Sequence, residues 1–379
     1  MNFDALTISP QVTRRNHRIE SALNRVVRFV DRATGLIGFG RKAAYDDHGY
    51  EFIGGPSDKM RTRHYDKSLR LLWKAETHAP WSDFKDCNKE ELALIELAEG
   101  ALDSAEREHV ERMRSAEFKE LLNREYTPEQ KQAIVNILSL IGHGEAYAWL
   151  VSAELLNEVK STGARSALTM QVLEEAKHFV VLRQLIQAFD MPVPRMCAYE
   201  YVLLERTFKS KGMEKFFGMN VVVEGFALSL FGMMSHLPGL ELLRLFHLDE
   251  SRHTALPMSY FAEFPMSKWR RYSPTAQLRR LSLVLPALPI LTWIENDLAV
   301  LGIDAFEFGG SLARKVFFLA DRAGFKLVLT QPQLHRLVGW LFNQYCRLTR
   351  PGHERRDWLK SDTTRGIEER KVEVEVFAA

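Results

Sequence analysis

Four glutamates and two histidines between residues 128 and 264 have the types and spacing of metal ligands. Two of the glutamates each precede a histidine by three positions, in the segments LEEAKHFVV and HLDESRHTAL. On an α-helix, residues three apart lie on one face, so each Glu-x-x-His pair can bring a carboxylate and an imidazole to one ion. The other two glutamates lie singly in GHGEAYAWL and NVVVEGFAL. The predicted ligands of this dinuclear site are Glu145, Glu175, His178, Glu224, Glu250 and His253.

Four helices must carry these residues. A capping box from Thr127 to Gln130 predicts that the first helix begins at Pro128 and extends to about 159. The other three helices are predicted over about 165–189, 213–235 and 239–263. The turn within each helix pair lies 11 to 15 residues from the glutamates, so antiparallel packing brings the glutamates to the same depth. The sequence thus predicts an internal repeat of a metal-binding helix pair.

The surroundings of the single glutamates favour a metal site over a chance grouping. The residues one turn to either side of Glu224 are apolar, and its helix contains no lysine or arginine after Lys215. Burying a carboxylate without a cation is costly, and two divalent ions would offset four carboxylates. A third such pair, Glu106 and His109, is surrounded by charged residues, and we interpret it as part of a solvated helix.

An acidic residue directly precedes the glutamate of each pair and is expected to orient the histidine of the opposite helix through its outer N–H. The two expected contacts are Asp249 with His178 and Glu174 with His253. Lys177 and Arg252 could tether these acids. His247 lies one turn before Glu250 and could be an extra ligand, but a core or second-layer histidine is the favoured interpretation.

Apolar side chains on the predicted helices are expected to line a cavity beside the ions. The predicted lining residues are Ala148, Trp149, Phe179, Leu182, Ala227 and Leu228. Such a cavity would be dry enough to protect a strong oxidant. Ordinary core packing explains the same residues equally well.

Composition narrows the function classes. Apolar residues make up 46% and charged residues 26% of the 379, with a net charge of +2, which is ordinary for a soluble globular protein and does not favour nucleic acid as a partner. The three cysteines form no CxxC pair, which predicts neither a cysteine metal site nor disulfides and fits the cytoplasm. We expect no signal peptide and no transmembrane segment, since the longest apolar run, 281–294, is too short and contains two prolines.

The chain is predicted to be one structural domain in four parts. These are N-terminal helices over 1–126, the four-helix bundle over 127–265, C-terminal helices over 266–351 and a charged tail over 352–379. Residues 14–34 form a predicted basic amphipathic helix, which we interpret as packed on the bundle. Docking of this helix to a membrane surface or an acidic partner is the alternative.

The ligand order resembles that of the ferritin-like di-iron carboxylate oxygenases and oxidases. The segment DESRH is similar to the D-E-x-R-H signature of bacterial multicomponent monooxygenases and acyl-carrier-protein desaturases, and EEAKH is a degenerate copy. The resemblance covers about 127–264. It implies an all-α, ferritin-like four-helix bundle with added N- and C-terminal helices, and two iron ions, with Mn/Fe as the alternative. It also implies O₂, a small organic substrate and an external reductase or ferredoxin as partners.

Three positions depart from the individual families that the chain resembles. Leu182 stands where ribonucleotide reductase small subunits carry a radical tyrosine, and Leu228 where multicomponent monooxygenases carry a threonine. Phe246 stands where aminobenzoate N-oxygenases carry an extra histidine. The predicted function is therefore O₂-dependent hydroxylation, N-oxygenation or desaturation without a more specific family. A ferroxidase or iron-handling protein, and a metal-free helical interaction protein, remain as alternatives, and a homodimer stays open.

Overall fold

The computed structural model describes residue 6 and residues 8–36, 115–160 and 162–359. Within these ranges the chain consists of helices joined by turns and loops, without a strand, which confirms the all-α prediction. Glu106, His109 and the tail beyond residue 359 lie outside the described residues, as do residues 37–114 of the N-terminal part that was predicted to be helical.

The helices carry the labels α1 to α13 in chain order. They are α1 (Pro10–Leu36), α2 (Ala116–Glu125), α3 (Pro128–Leu155), α4 (Thr162–Ala188), α5 (Ala198–Lys209), α6 (Glu214–Met234), α7 (Leu243–Glu263), α8 (Lys268–Tyr272), α9 (Pro274–Val284), α10 (Ala287–Trp293), α11 (Glu295–Val300), α12 (Ala305–Arg322) and α13 (Gln331–Thr349).

Helices α3, α4, α6 and α7 form the core that positions the predicted ligands. Helix α3 packs on α4, α6 packs on α7, and the two pairs meet through α4 with α7 and α3 with α6. The predicted start of α3 is confirmed: the Gln130 N–H donates to the Thr127 hydroxyl (3.2 Å), and the Thr127 N–H donates to the Gln130 side chain (3.0 Å). This capping box satisfies two N–H groups that the helix start leaves free.

The turn between α6 and α7 differs from the prediction in length. Gly239 has a φ of +83°, a left-handed conformation that glycine adopts without a steric penalty. The chain then makes further short turns, in which the N–H of Leu243 donates to the carbonyl of Leu240 (3.0 Å). Helix α7 therefore begins at Leu243, four residues later than predicted.

Helix α6 contains a feature that the sequence analysis missed. Its segment Phe217–Val223 is π-helical and runs directly into Glu224. A π-helical segment is wider than an α-helix and shifts the following side chains around the axis. The direction in which Glu224 projects therefore depends on this segment.

The helices outside the core pack against it. Glu20 of α1 is fully buried. It accepts from the Arg195 guanidinium (2.9 and 2.7 Å) and from the Ala198 N–H at the start of α5 (3.0 Å). Helix α1 contacts mainly α5 and α10, which lie outside the four-helix core, whereas the sequence analysis placed it on the bundle.

The C-terminal region is more interrupted than predicted. Within this region the sequence predicts two long helices, over about 274–301 and 309–350, but five shorter helices, α9 to α13, occupy these residues. Pro286 lies between α9 and α10, where its ring is incompatible with a continuous helix. Gly324, with a φ of +78°, follows the end of α12, and a loop separates it from α13.

Two helices, α3 and α6, are long and apolar enough to cross a membrane by length and composition alone. The most apolar window of each is 78% and 89% buried inside the protein. Core helices of soluble proteins have the same properties, so these two helices are weak evidence for a membrane location.

Candidate metal centre

The core helices bring all six predicted ligands together. Their oxygen and nitrogen atoms form two groups, and within each group the atoms lie within 4.8 Å of one another. The first group consists of Glu145, Glu175, His178 and Glu250, and the second group consists of Glu175, Glu224, Glu250 and His253. Glu175 and Glu250 belong to both groups, so the buried cluster could hold two adjacent metal ions.

Both histidines point the same ring nitrogen into the cluster. His178 Nδ1 lies 3.1 Å from Glu145 Oε2 and 3.1 Å from Glu250 Oε1. His253 Nδ1 lies 3.0 Å from Glu175 Oε1 and 3.4 Å from Glu250 Oε2. All of these side chains are buried, so each group combines three carboxylates with one imidazole away from solvent.

The outer nitrogen of each imidazole contacts the acid that the sequence analysis assigned to it. His178 Nε2 lies 2.9 Å from Asp249 Oδ2, and His253 Nε2 lies 2.7 Å from Glu174 Oε2. A ring N–H that donates to a carboxylate leaves the opposite nitrogen free to bind an ion. These contacts therefore fix both the orientation and the tautomer that metal binding requires.

Two basic residues hold the outer acids. Arg252 donates to Glu174 (2.8 Å) and also to Asp249, and the Lys177 ammonium lies 3.4 Å from Asp249. Burial by itself would raise the pKa of Asp249, but the hydrogen bond from His178 and the charge of Lys177 lower it well below its usual range. Asp249 is thus ionised and able to orient His178.

Several polar atoms inside the cluster lie near oppositely charged groups but form no well-aligned hydrogen bond. They are both carboxylate oxygens of Glu250, Glu175 Oε2 and His253 Nδ1. Buried polar atoms are nearly always paired, because leaving them unpaired costs about 1–3 kcal/mol each. Atoms of this kind that converge on one centre indicate a missing partner that can bind several of them at once, as a metal ion does.

The charges of the cluster also fit two divalent ions. Burial raises the pKa of Glu145 and Glu224, and the neighbouring carboxylates of Glu175 and Glu250 raise both further. Burial lowers the pKa of both cluster histidines, but the hydrogen bond to Asp249 raises that of His178 well above its usual value, and the charges of Glu175 and Glu250 do the same for His253.

Two divalent ions bound by neutral imidazoles would balance the charges of the four cluster carboxylates. Carboxylate oxygens and imidazoles are suitable ligands for iron or manganese.

Two amide side chains support the second group and were not predicted. Gln171 donates to Glu175 Oε1 (3.2 Å) and to Glu224 Oε1 (3.2 Å). Asn220, within the π-helical segment, donates to the Gln171 side-chain oxygen (3.0 Å) and to the His253 carbonyl (3.0 Å). Gln171 lies four residues before Glu175 and Asn220 four residues before Glu224, so the same-face spacing was the signal available in the sequence.

His247 does not join either group. It is buried, and its Nδ1 lies 2.8 Å from the Leu228 carbonyl. This contact corresponds to the favoured interpretation of a core histidine.

A small chamber of about 40 Å³ adjoins the cluster on the side of the single glutamates. Its lining includes Glu145, Glu224 and one of the predicted apolar residues, Ala227. Four other residues predicted to line a cavity are buried in the core but do not line this chamber. They are Ala148, Phe179, Leu182 and Leu228.

The prediction that Trp149 lines the cavity is wrong, because this side chain is 36% exposed. Trp149 lies on α3 beside Leu150 and Ala153, which are only half-buried. The apolar character of tryptophan suggested burial, whereas its position around the helix determines its exposure.

Comparisons of the chain with family models, with curated proteins and with solved structures find no match. The geometry of the buried cluster is therefore the main evidence for what this protein does.

Proposed function

We propose that this protein is a non-haem di-iron enzyme that uses O₂ to oxidise a small organic substrate. The observation that carries the proposal is the pair of overlapping groups of carboxylates and imidazoles, in which each imidazole is oriented by its own acid. A four-helix core that supplies one glutamate from each of two helices and Glu-x-x-His from each of the other two has the ligand arrangement of ferritin-like di-iron proteins. We therefore also propose a ferritin-like fold.

Two ferrous ions held here would supply electrons to O₂ and pass its oxidising power to a substrate. The protein residues hold the ions, keep the imidazoles in one tautomer and exclude water. His178 is held further by its stacking on Phe246, with ring centroids 4.2 Å apart. The chamber beside Glu145 and Glu224 gives the reacting part of a substrate a place next to the ions.

Hydroxylation, N-oxygenation and desaturation are the reaction types that this arrangement supports. Each needs electrons from outside the cluster, and we propose that a separate reductase or ferredoxin in the cytoplasm supplies them. Manganese in place of one iron uses the same ligands.

The test is metal analysis followed by O₂ consumption. The purified full chain, loaded anaerobically with Fe(II), should bind two iron ions, and the loaded protein should consume O₂ faster when a suitable substrate is present. Glu250→Gln should abolish the binding of both ions.

A matched control is Glu205→Gln, which changes another buried carboxylate, one that accepts from the Tyr147 hydroxyl (2.8 Å) and lies outside both groups. This variant should keep both ions. A wild-type protein without bound metal would disprove the proposal and favour an interaction protein. Accumulation of many ferric ions per chain would instead indicate an iron-handling protein.

A further inference from the structure

A second cavity leads from the surface toward the metal centre. It is a cleft of about 270 Å³ between α1, α3 and α11, and its lining includes His17, Asn136 and Asp297. Two residues, Leu140 and Glu200, line both this cleft and the small chamber beside the cluster. The cleft and the chamber are therefore neighbouring spaces that meet at these two side chains.

Glu200 is held firmly at this junction. Its Oε1 lies 3.1 Å from His143 Nδ1, and it forms a capping box with Cys197 at the start of α5. Burial raises the pKa of Glu200, while His143 opposes this rise. Leu140 is the apolar side of the junction and is 8% exposed, so a polar and an apolar side chain lie between the two spaces.

The cleft and the chamber differ in chemistry. The chamber walls are mainly apolar side chains, among them Leu203, Leu204, Phe226 and Ile290. The cleft contains three carboxylates, from Glu129, Glu200 and Asp297, none of which is a predicted metal ligand. The chamber also has three, but two of them, Glu145 and Glu224, belong to the metal cluster, and the third is the shared Glu200. A ligand that spans both spaces would be apolar at one end and polar at the other.

The charges that line the cleft indicate whether the polar end of such a ligand is positive or negative. Arg195 also lines the cleft, but its guanidinium binds both carboxylate oxygens of Glu20 (2.9 and 2.7 Å), so its charge is already balanced. Asp297 accepts from Asn136 (2.9 Å), a neutral amide, and burial raises the pKa of Asp297 to about 7. A positively charged group in the cleft would favour the ionised form of this half-buried carboxylate.

We propose that substrate enters through this cleft, passes between Leu140 and Glu200, and reaches the chamber with its apolar end first. The substrate is a small molecule with a positively charged group, such as an amine, which stays in the cleft near Asp297. This inference rests on the proposed function, because it identifies the substrate class of the same metal centre. The cleft, at about 270 Å³, would hold most of the substrate, and the chamber, at about 40 Å³, has room only for a small reacting group.

The route can be tested without the substrate by chemical labelling. Leu203→Cys places a thiol in the chamber, and its reaction with 2-aminoethyl methanethiosulfonate, a cation, is compared with that of the anionic 2-sulfonatoethyl reagent. Peptide mapping by mass spectrometry distinguishes this thiol from the natural cysteines. The cationic reagent should react about tenfold faster or more relative to its rate with a free thiol, because an acidic cleft concentrates cations.

Variants at the junction then test the passage itself. In the Leu203→Cys background, Leu140→Ala should speed labelling by both reagents, and Leu140→Trp should slow it. Glu200→Gln should reduce the preference for the cation severalfold. Leu312→Ala is the matched control, since Leu312 is 7% exposed and lines neither space, and it should leave the rates unchanged.

Equal rates in both Leu140 variants, or an anionic reagent as fast as the cationic one, would overturn the route or its charge preference. The measurements are made on the full chain with and without bound iron. Selective labelling in a chain that binds no iron would support the route and contradict the proposed function. Iron binding without these labelling effects would support the proposed function and contradict the route.

Discussion

The two halves of the metal cluster have the same ligand types but are supported differently. In the first group, His178 contacts a buried acid, Asp249, and stacks on Phe246. In the second group, His253 contacts Glu174, which is partly exposed. Gln171 donates hydrogen bonds to Glu224, which belongs to the second group only, and to Glu175, which both groups share.

This difference follows from the helices that carry the ligands. Helix α3 is α-helical from Pro128 to Leu155, whereas α6 contains its π-helical segment just before Glu224. The segment contains Asn220, which joins Gln171 to the backbone of α7 at His253. The second ion would thus sit in a polar, hydrogen-bonded frame, and the first ion beside an aromatic wall. Two sites that look equivalent in the sequence should therefore bind metal with different affinities.

Substituting a carboxylate that both groups share should have the largest effect on metal binding. Glu250→Ala removes a ligand from both groups and should abolish the binding of both ions. Glu224→Ala removes a ligand from the second group only and should leave one iron per chain. Elemental analysis after anaerobic loading measures both numbers. Loss of both ions in Glu224→Ala would show that the groups do not bind independently, and retention of two ions would remove Glu224 from the ligand set.

The outer acids should have the next largest effect. Asp249→Asn should lower the affinity of the first site for iron about 10- to 100-fold, because it weakens the contact that orients His178. Glu174→Gln should weaken the second site less, since Glu174 is more exposed than Asp249. Titration with Fe(II) against a competing chelator gives both affinities. Equal losses at the two sites would contradict the difference in support.

Local spacing explains why the sequence predicted the ligands and outer acids as one cluster. Each Glu-x-x-His pair lies on one helix, and the capping box at Thr127 and the glycine at 239 limit where helices begin and end. The residues near the metal in three dimensions follow from these short-range rules together with antiparallel packing. Whether the six residues bind iron remains a prediction.

Features that depend on packing between helices could not be predicted in the same way. Asn220, which donates to Gln171, lies in the π-helical segment, and the sequence FGMNVVV shows no sign of π-helical geometry. Glu200 reaches the chamber from α5, outside the four-helix core. The exposure of Trp149 depends on which side of α3 its neighbours cover.

The amide network should have a smaller effect that is confined to one half. Gln171→Leu keeps the approximate size of the side chain but removes its hydrogen bonds to Glu175 and Glu224. The affinity of the second site for iron should fall about tenfold or less, with a smaller change at the first site. The same chelator titration measures this. A larger loss at the first site would show that Gln171 acts through general packing of the core rather than through the second group.

The smallest expected effect is on stability and comes from substituting Asp297 in the cleft. The carboxylates of the metal cluster lie beside imidazoles, whereas Asp297 accepts its hydrogen bond from the neutral amide of Asn136. Burial raises the pKa of Asp297 from 3.8 to about 7, so the folded state binds this proton more tightly than the unfolded state. Its contribution to stability is complete below about pH 4 and is lost as the pH rises through 7.

Asp297→Asn removes this titration, so the variant should gain about 1–3 kcal/mol of unfolding free energy relative to wild type between pH 5 and pH 8. Urea unfolding of metal-free protein at several pH values measures the difference. Asp321→Asn, at an exposed carboxylate that pairs with Lys326 (2.6 Å), is the control and should keep the pH dependence of wild type. If the stability difference between Asp297→Asn and wild type is instead the same at every pH, the Asp297 carboxylate ionises at little cost in free energy. The main argument for a cation in the cleft would then be contradicted.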